Sequence, residues 1–495
     1  MRTNDPLSSV KHKAIRSAKW SGLSEVFTGA LNPLVIIILA RILTPHDFGI
    51  VAIATIFVGA AEHFSELGLG RLLIQIDKKE LDFGKIANSV FWFNLVMSIL
   101  MCLAVFMLAR PIAAFFNSPE SINVIRLLAC LLVIHSFLVV QRGAIQRSFG
   151  FKETFMGSSL FVLFYACVSI PLASGGFGPW SLVWGTLAGT FVQSMFLWHK
   201  SDWRPSLDYD LPFLFSLIRH SKWFFIEGLL KWTVLSGGAI ALGHFLSVMD
   251  MGIFRAGDTI AKMLFLVLVS PIIPILFPMF SRLQSEKEEL GRVFDRTFKV
   301  LLFLVIPSGI LLSMCSNHVS AIILGSKWYG AGSVLSFMAV FYALNSITDM
   351  GPELYRALGR SKSSSILLLT QLAAFLPVYL FAAPLGFNFF CAAFILVYMI
   401  PFSLNIFYLC KTLDKSVAQL LSLARTPMIA AFAAAIPLFF ILNILPKNRL
   451  VEAVFGVPVF AGVYLLIVYF IDKAFIAEFF QYITLALAKK GPPPE

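Results

Sequence analysis

IRSAKWSGLSEVFTGALNPLVIIILARILTPHDFGIVAI, running from Ile15 to Ile53, returns without a gap 203 positions later as IRHSKWFFIEGLLKWTVLSGGAIALGHFLSVMDMGIFRA, Ile218 to Ala256. Ile15, Arg16, Lys19 and Trp20 fall on Ile218, Arg219, Lys222 and Trp223, and Leu39, Leu43, Asp47, Gly49 and Ile50 on Leu242, Leu246, Asp250, Gly252 and Ile253. Further along, Arg147-Ser-Phe-Gly150 meets Arg356-Ala-Leu-Gly359 at an offset of 209, so six residues have been inserted, most simply within SRLQSEKEELGRVFDRTFK. The chain is built on a duplication.

The solvent of that duplicated unit is lipid. Of 495 residues, 58% are hydrophobic and 13% charged, with 50 Phe and a mean hydropathy of +0.84, where a soluble domain carries about 25% charge. Apolar runs of about 20 residues, long enough to cross a ~30 Å hydrocarbon core, recur throughout. The expected fold is an all-α integral membrane protein of about 14 transmembrane helices, with spans one, two, seven and eight at roughly 18–41, 47–68, 222–243 and 251–279. The basic N-terminal segment is followed by no small-residue cleavage pattern, so no cleaved signal peptide is expected. Six cysteines without paired spacing support neither a disulfide framework nor a zinc site.

The net charge of +12 is explained by where the charges fall. With the N-terminus inside, thirty of the 39 Lys and Arg lie in inner segments, five outside (Arg41, Arg110, Lys327, Lys447, Arg449) and four within spans (Arg126, Lys231, Arg255, Lys262). That is the positive-inside asymmetry, which places both termini in the cytoplasm and makes a nucleic-acid partner unnecessary. Six spans per copy is an even number, so both copies enter the membrane in the same direction and are related by a pseudo-twofold axis along its normal. The expected organisation is an N-lobe at 1–205 (helices one to six), a C-lobe at 206–412 (seven to twelve), two unrepeated helices at 413–475 and a polar tail at 476–495. Outer connections are too short to fold alone, which excludes a catalytic domain outside the membrane.

Charges inside the spans carry the chemistry. Each Lys, Arg or Asp at mid-bilayer costs about 2.5–3.5 kcal/mol on the insertion scale, so these groups must face protein or water. Span one holds Glu25, span two Glu62, His63 and Glu66, span seven Glu227 and Lys231, and span eight Arg255, Asp258 and Lys262; outside these, Arg126 and His135 in span four are the clear cases. The charged spans are thus the first two of each copy, and they are expected to line one polar cavity. At about 1.5 Å per residue, Lys231 sits ~14 Å from the inner end of its span and Lys262 ~17 Å from the outer end of its own, both near the midplane. Two ammonium groups there would attract a phosphate or pyrophosphate while permitting release. The plainer alternative is local pairing, Glu227 with Lys231 and Asp258 with Arg255 or Lys262; for Arg126 it is snorkelling to the outer surface. Glu25, Glu62 and Glu66 are candidate ion-coupling acids, and His63 a candidate relay or simply a hydrogen-bonded histidine. Asn32-Pro33 in span one and Pro271, Pro274 and Pro278 in span eight permit bends. No Walker loop, HExxH or GxSxG is present, so no catalytic site and no bound ATP are expected.

At AKWSGL (Ala18 to Leu23), LARILTPHDFGIVAIA (Leu39 to Ala54), LIQ (Leu73 to Gln75), IQRSFGFK (Ile145 to Lys152), LGSKW (Leu324 to Trp328) and YRALGR (Tyr355 to Arg360), the sequence resembles the Wzx-type oligosaccharide flippases, in particular the colanic-acid-exporter-like ones, of the multidrug/oligosaccharidyl-lipid/polysaccharide exporter superfamily. The resemblance covers about residues 10 to 475. It implies a bacterial inner-membrane protein that carries an undecaprenyl-pyrophosphate-linked oligosaccharide to the periplasmic leaflet by alternating access, alongside membrane lipid, a repeat-unit polymerase and a chain-length regulator. It also implies a cationic cavity lined by helices one, two, seven and eight. Lys231, Arg255, Lys262 and Arg126 would then attract the pyrophosphate, while Glu25, Glu62, Glu66, His63, Glu227 and Asp258 would serve Na+ or H+ coupling; no other cofactor is implied. The competing readings are a cation-coupled drug antiporter or a lipid II flippase of the same superfamily. Four intramembrane bases argue for an anionic substrate. A membrane glycosyltransferase would need an acid-bearing loop that the chain lacks, and an inert scaffold leaves the buried charges unexplained.

Overall fold

In a computed structural model of the chain, the described residues are 31, 34–70, 73, 83–148, 150–270, 272–444, 449–477 and 479. Among them there is no strand. The chain folds into α1 (34–42), α2 (Pro45–Glu66), α3 (Phe83–Phe115), α4 (Ser121–Arg147), α5 (Phe151–Ser174), α6 (Pro179–Lys200), α7 (Leu211–Phe245) and α8 (Val248–Val269), and continues through α9 (Ile273–Arg282), α10 (Lys287–Met314), α11 (Ser316–Ile323), α12 (Ala331–Thr348) and α13 (Met350–Ala357). It then forms α14 (Ser361–Pro377), α15 (Phe387–Leu413), α16 (Val417–Ile444) and α17 (Arg449–Ile471). Ten of the described helices are long and apolar enough to cross a membrane. α8 is 22 residues long but carries Asp250, Arg255, Asp258 and Lys262, and with those charges it is not among the ten.

Two boundaries depart from the sequence reading. Span eight was expected to run to residue 279, but α8 stops at Val269 and a separate ten-residue helix begins at Ile273. A proline lacks the amide hydrogen that the helix needs and clashes with the preceding turn; in the sequence Pro271 falls between the two helices, and Pro274 sits in the first turn of the second, where proline is tolerated. Span seven was expected from residue 222, whereas α7 starts at Leu211, where the Asp210 carboxylate accepts from the Phe213 amide at 2.9 Å as its N-cap.

One compact unit gathers the described residues up to Thr259 with Leu324–Trp328 and Leu368–Phe390. Its α1, α5 and α6 close over Val35, Leu39, Leu43, Val162, Tyr165 and Leu182. Without a hydrophobic driving force between helices in lipid, small residues are what let backbones approach. Here α6 meets α5 through Gly185, where an added Cβ would stand 3.0 Å from the Tyr165 carbonyl, and Gly189, 2.8 Å from that of Phe161. The Pro- and Asp-rich segment after α6 is fastened to α3: Asn88 Nδ2 donates to Ser206 Oγ (2.6 Å) and to the Asp208 carbonyl (2.9 Å), and Trp92 Nε1 to the Ser206 carbonyl (2.9 Å).

The second unit gathers Ile260–Ile323, Tyr329–Leu367 and the described residues from Cys391 on. Its core joins α10 to α16 and α17 through Phe303, Ala430, Ala434, Leu438, Phe460 and Tyr464, whose hydroxyl donates to the Phe303 carbonyl at 2.8 Å. Along one side of α10, Asp295 pairs with Lys415 and Lys299 with Asp472, tying in the segments that follow α15 and α17.

Candidate functional site: the charged faces of α2, α4, α7 and α8

Within the first unit, α2 lies against α7. Phe64 meets Phe225 edge-on with ring centroids 5.3 Å apart. A Cβ added at Gly59 would lie 3.6 Å from Trp232 Nε1, and one at Gly228 would lie 3.4 Å from His63 Nδ1. Glycines facing bulky side chains at one helical register are what bring these two charged spans to close range. His63 therefore turns toward α7. Glu66 lies against Gly70, which Val139 Cγ1 of α4 also approaches.

Glu62 finds its partner elsewhere. Its Oε1 stands 2.8 Å from His135 Nδ1 on α4, an ion pair when the imidazole is protonated. Arg142, two turns further along α4, and Glu66, one turn along α2, are within electrostatic reach, and Arg142 Nε is buried without a hydrogen-bond partner. His63, the sequence candidate for a relay, is a neighbour of this pair rather than a member. The histidine that completes it, His135, was visible only as a charge in span four, with no spacing rule linking it to a residue 73 positions away.

On α7, Glu227 is half-buried and Lys231 exposed on the protein surface. The alternative of local pairing between them is not formed: among the described residues, no ion pair involves Lys231 or Lys262. Arg255 and Asp258 are half-buried on α8, and Lys262 is exposed. Thr259 Oγ1 returns its hydrogen to the Arg255 carbonyl at 2.7 Å, keeping that hydroxyl within the helix. Arg126 lies on α4 with its guanidinium 4.8 Å from the centre of the Phe106 ring, a cation–π contact on the flank of α3. Glu25 lies outside the described residues. The structure thus turns His63 toward the face of α7 that follows Phe225, pairs Glu62 with His135 of α4, and leaves Arg126 apart, on α4 against Phe106 of α3.

Among the described residues, no group of three or more His, Cys, Asp or Glu could hold a metal ion. A cavity of about 640 Å³ opens between α4, α5 and α6, lined by Ile134, Val168, Leu172, Trp184, Leu187 and Phe191; it is apolar and contains none of the charged candidates.

Solved structures share this fold. A lipid II flippase, MurJ, in an inward closed conformation superposes with a TM-score of 0.73 at 12% identity, covering 92% of this chain and 99% of that one. An inward-facing multidrug resistance transporter of the MATE family and MOP superfamily gives 0.62 at 12% identity, covering 79% and 99%. Among curated proteins, the succinoglycan biosynthesis transport protein ExoT of Rhizobium meliloti (strain 1021) is 26% identical over 66% of this chain and 65% of its own length, just under two thirds. The lipopolysaccharide biosynthesis protein WzxC of Escherichia coli (strain K12) is 24% identical over 68% of this chain and 69% of its own length. A family model described as polysaccharide biosynthesis protein matches residues 38–333, more than half of the sequence, and the chain belongs to that family.

Proposed function

We propose that the protein moves an undecaprenyl-pyrophosphate-linked oligosaccharide repeat unit from the cytoplasmic to the periplasmic leaflet of a bacterial inner membrane, by alternating access, for exopolysaccharide or lipopolysaccharide assembly. The observation that carries this reading is Lys231, an ammonium on a membrane-spanning helix that pairs with no carboxylate among the described residues. A bare cation at that depth is costly unless water or an anion meets it, and a pyrophosphate headgroup supplies the anion. Arg255 and Lys262 on α8 extend the basic set, and similarity to ExoT, a succinoglycan biosynthesis transport protein, and to WzxC, a lipopolysaccharide biosynthesis protein, supports the reading.

Coupling is assigned to a proton. The Glu62–His135 pair joins two helices of one unit through side chains that can each take up a proton, so that gaining or losing one proton changes an ion pair between α2 and α4. Glu66 and Arg142 set the field around it, and Glu25, Glu227 and Asp258 complete the acids available to the cycle. Deleting the gene and measuring lipid-linked sugars on each leaflet tests the substrate. Accumulation of undecaprenyl-linked oligosaccharide on the inner side is expected; no accumulation sinks the reading, and accumulation of lipid II instead points to the peptidoglycan precursor.

A further inference from the structure

Arg126, in the second turn of α4, is a guanidinium that no acid of its own unit meets. It belongs to no ion pair among the described residues, and its Nε is buried without a hydrogen-bond partner. One face of the group is covered by the Phe106 ring of α3, whose centre is 4.8 Å away. Around that contact the surface is apolar and outward-facing: Leu103, Phe106 and Met107 are 50%, 46% and 75% exposed. On a chain this apolar, such a surface meets hydrocarbon.

The depth of the contact matches a lipid headgroup. α3 is 33 residues long, about 50 Å, and when centred it overhangs a ~30 Å hydrocarbon core by about 10 Å at each end. Phe106 stands ~13 Å below the Phe115 end, so the ring and the guanidinium over it fall at the hydrocarbon boundary, where lipid phosphates begin. The count of basic residues assigns that end to the outside. Deeper on the same flank lies the apolar cavity of about 640 Å³. It starts at Leu172, in the last turn of α5, and Trp184, in the second turn of α6, and runs inward to Ile134 and Phe191. Trp184 and Phe191 are 49% and 53% exposed, so the cavity is a groove open on the membrane side. Ile134 follows Arg126 on α4 by about 12 Å along the axis and about 80° around it. Cys130, between the two, is exposed and small. Cation and groove therefore adjoin on one helix face, the cation at the boundary and the groove below it.

We propose that this flank is a binding site for an anionic phospholipid of the outer leaflet, with the phosphate on Arg126 and one acyl chain in the groove between α4, α5 and α6. The planar fork of arginine fits a phosphate, and basic groups among transmembrane helices take anionic headgroups. The two halves of the site answer the two halves of that molecule. A soluble phosphate makes no use of the groove, and a neutral lipid none of the cation. All of these residues belong to the first unit. The site shares no residue with the basic set of α7 and α8, and it rests on the membrane reading of the helices, not on what the protein carries.

Delipidated full-length protein in detergent is titrated with phosphatidylglycerol, with phosphatidylcholine of the same acyl chains, and with undecaprenyl phosphate, and bound lipid is counted by native mass spectrometry. The parent is expected to hold its first phosphatidylglycerol at least tenfold more tightly than phosphatidylcholine. Arg126→Gln is expected to lose that preference, and Arg126→Lys, which keeps the charge, to retain part of it. Ala188→Trp, which fills the groove, is expected to weaken phosphatidylglycerol binding at least tenfold, with Ala188→Leu carried alongside in case the larger side chain blocks folding. Trp184 locates the site without any change at Arg126. Phosphatidylglycerol brominated in its acyl chains is expected to quench at least twice the emission that brominated phosphatidylcholine does, and the excess is expected to vanish in Trp184→Phe. Equal quenching by the two lipids, or a phosphatidylglycerol preference that survives Arg126→Gln, overturns the proposal. So does displacement of phosphatidylglycerol by undecaprenyl phosphate at equal concentration, which makes the cargo's own lipid the occupant. None of these readings uses export, so a failed oligosaccharide assay removes the cargo assignment and leaves the lipid site standing.

Discussion

Glu62 Oε1 and His135 Nδ1 stand 2.8 Å apart, joining α2 to α4 across 73 positions of sequence. Hydrogen bonds to charged groups contribute about 1.5–3 kcal/mol, and a contact of that size is large enough to bias a conformational equilibrium when a proton makes or breaks it. Glu62→Gln keeps the shape and removes the charge. Its export is expected to fall at least tenfold and to lose its response to a protonophore, while membrane levels stay near parental. Export in the variant that collapses with the protonophore as the parent does would place the coupling group elsewhere.

Lys231 is exposed on α7 and belongs to no ion pair among the described residues. Replacing a side chain outside any packed or paired feature usually changes stability by less than about 0.5 kcal/mol, so Lys231→Gln is expected to unfold at the parental temperature within measurement error. Export is expected to drop at least tenfold, and further when Lys262→Gln is added. A thermal-shift and export measurement on the same preparations separates the two effects: lost stability with lost export would make Lys231 a structural residue.

The repeat made the helical frame legible. Matching Trp20 with Trp223 and Gly49 with Gly252 marked span one as the equivalent of seven and span two of eight, whereas the packing of α2 against α7 at Gly59 and Gly228 is seen only in the folded chain. Charge was legible too, because a Lys at membrane depth has few permitted surroundings. Partners were not. The sequence places His63 beside Glu62, but helical geometry points neighbouring side chains about 100° apart, and it is His135 on another helix that reaches the carboxylate. Glu227 and Lys231 have the spacing of an ion pair, yet spacing on a helix permits a contact without requiring one. The matched glycines likewise announced a shared backbone need, while the carbonyls that fill it, those of Pro45 and Val248, become visible only once the two copies are folded together.

Gly185 and Gly189 on α6 admit the backbone of α5: added Cβ atoms would stand 3.0 Å from the Tyr165 carbonyl and 2.8 Å from the Phe161 carbonyl. Overpacking a close contact costs about 1–3 kcal/mol, and neither carbonyl can yield without breaking its helix. Gly189→Val is therefore expected to lower the unfolding temperature and membrane yield more than Gly462→Val, where an added Cβ meets nothing within 4 Å. Equal yields for the two variants would show that α5 and α6 are free to shift apart.

Lys299 pairs with Asp472, with 27% and 23% of the respective side chains exposed, and its ammonium also sits 4.7 Å from the centre of the Phe475 ring. The pair fastens the segment after α17 to α10, so its energy is tied to the unrepeated end of the chain. Removing one partner of a sheltered pair leaves the other charge uncompensated, a cost larger than the pair's net contribution. Asp472→Ala, which strands the lysine, is expected to destabilise by about 1–3 kcal/mol, whereas Lys299→Met with Asp472→Ala is expected to recover at least half of that loss. A double-mutant cycle followed by thermal unfolding decides it: additive effects would mean that the apolar cluster of Phe303, Phe475 and Phe479 holds this segment without help from the ion pair.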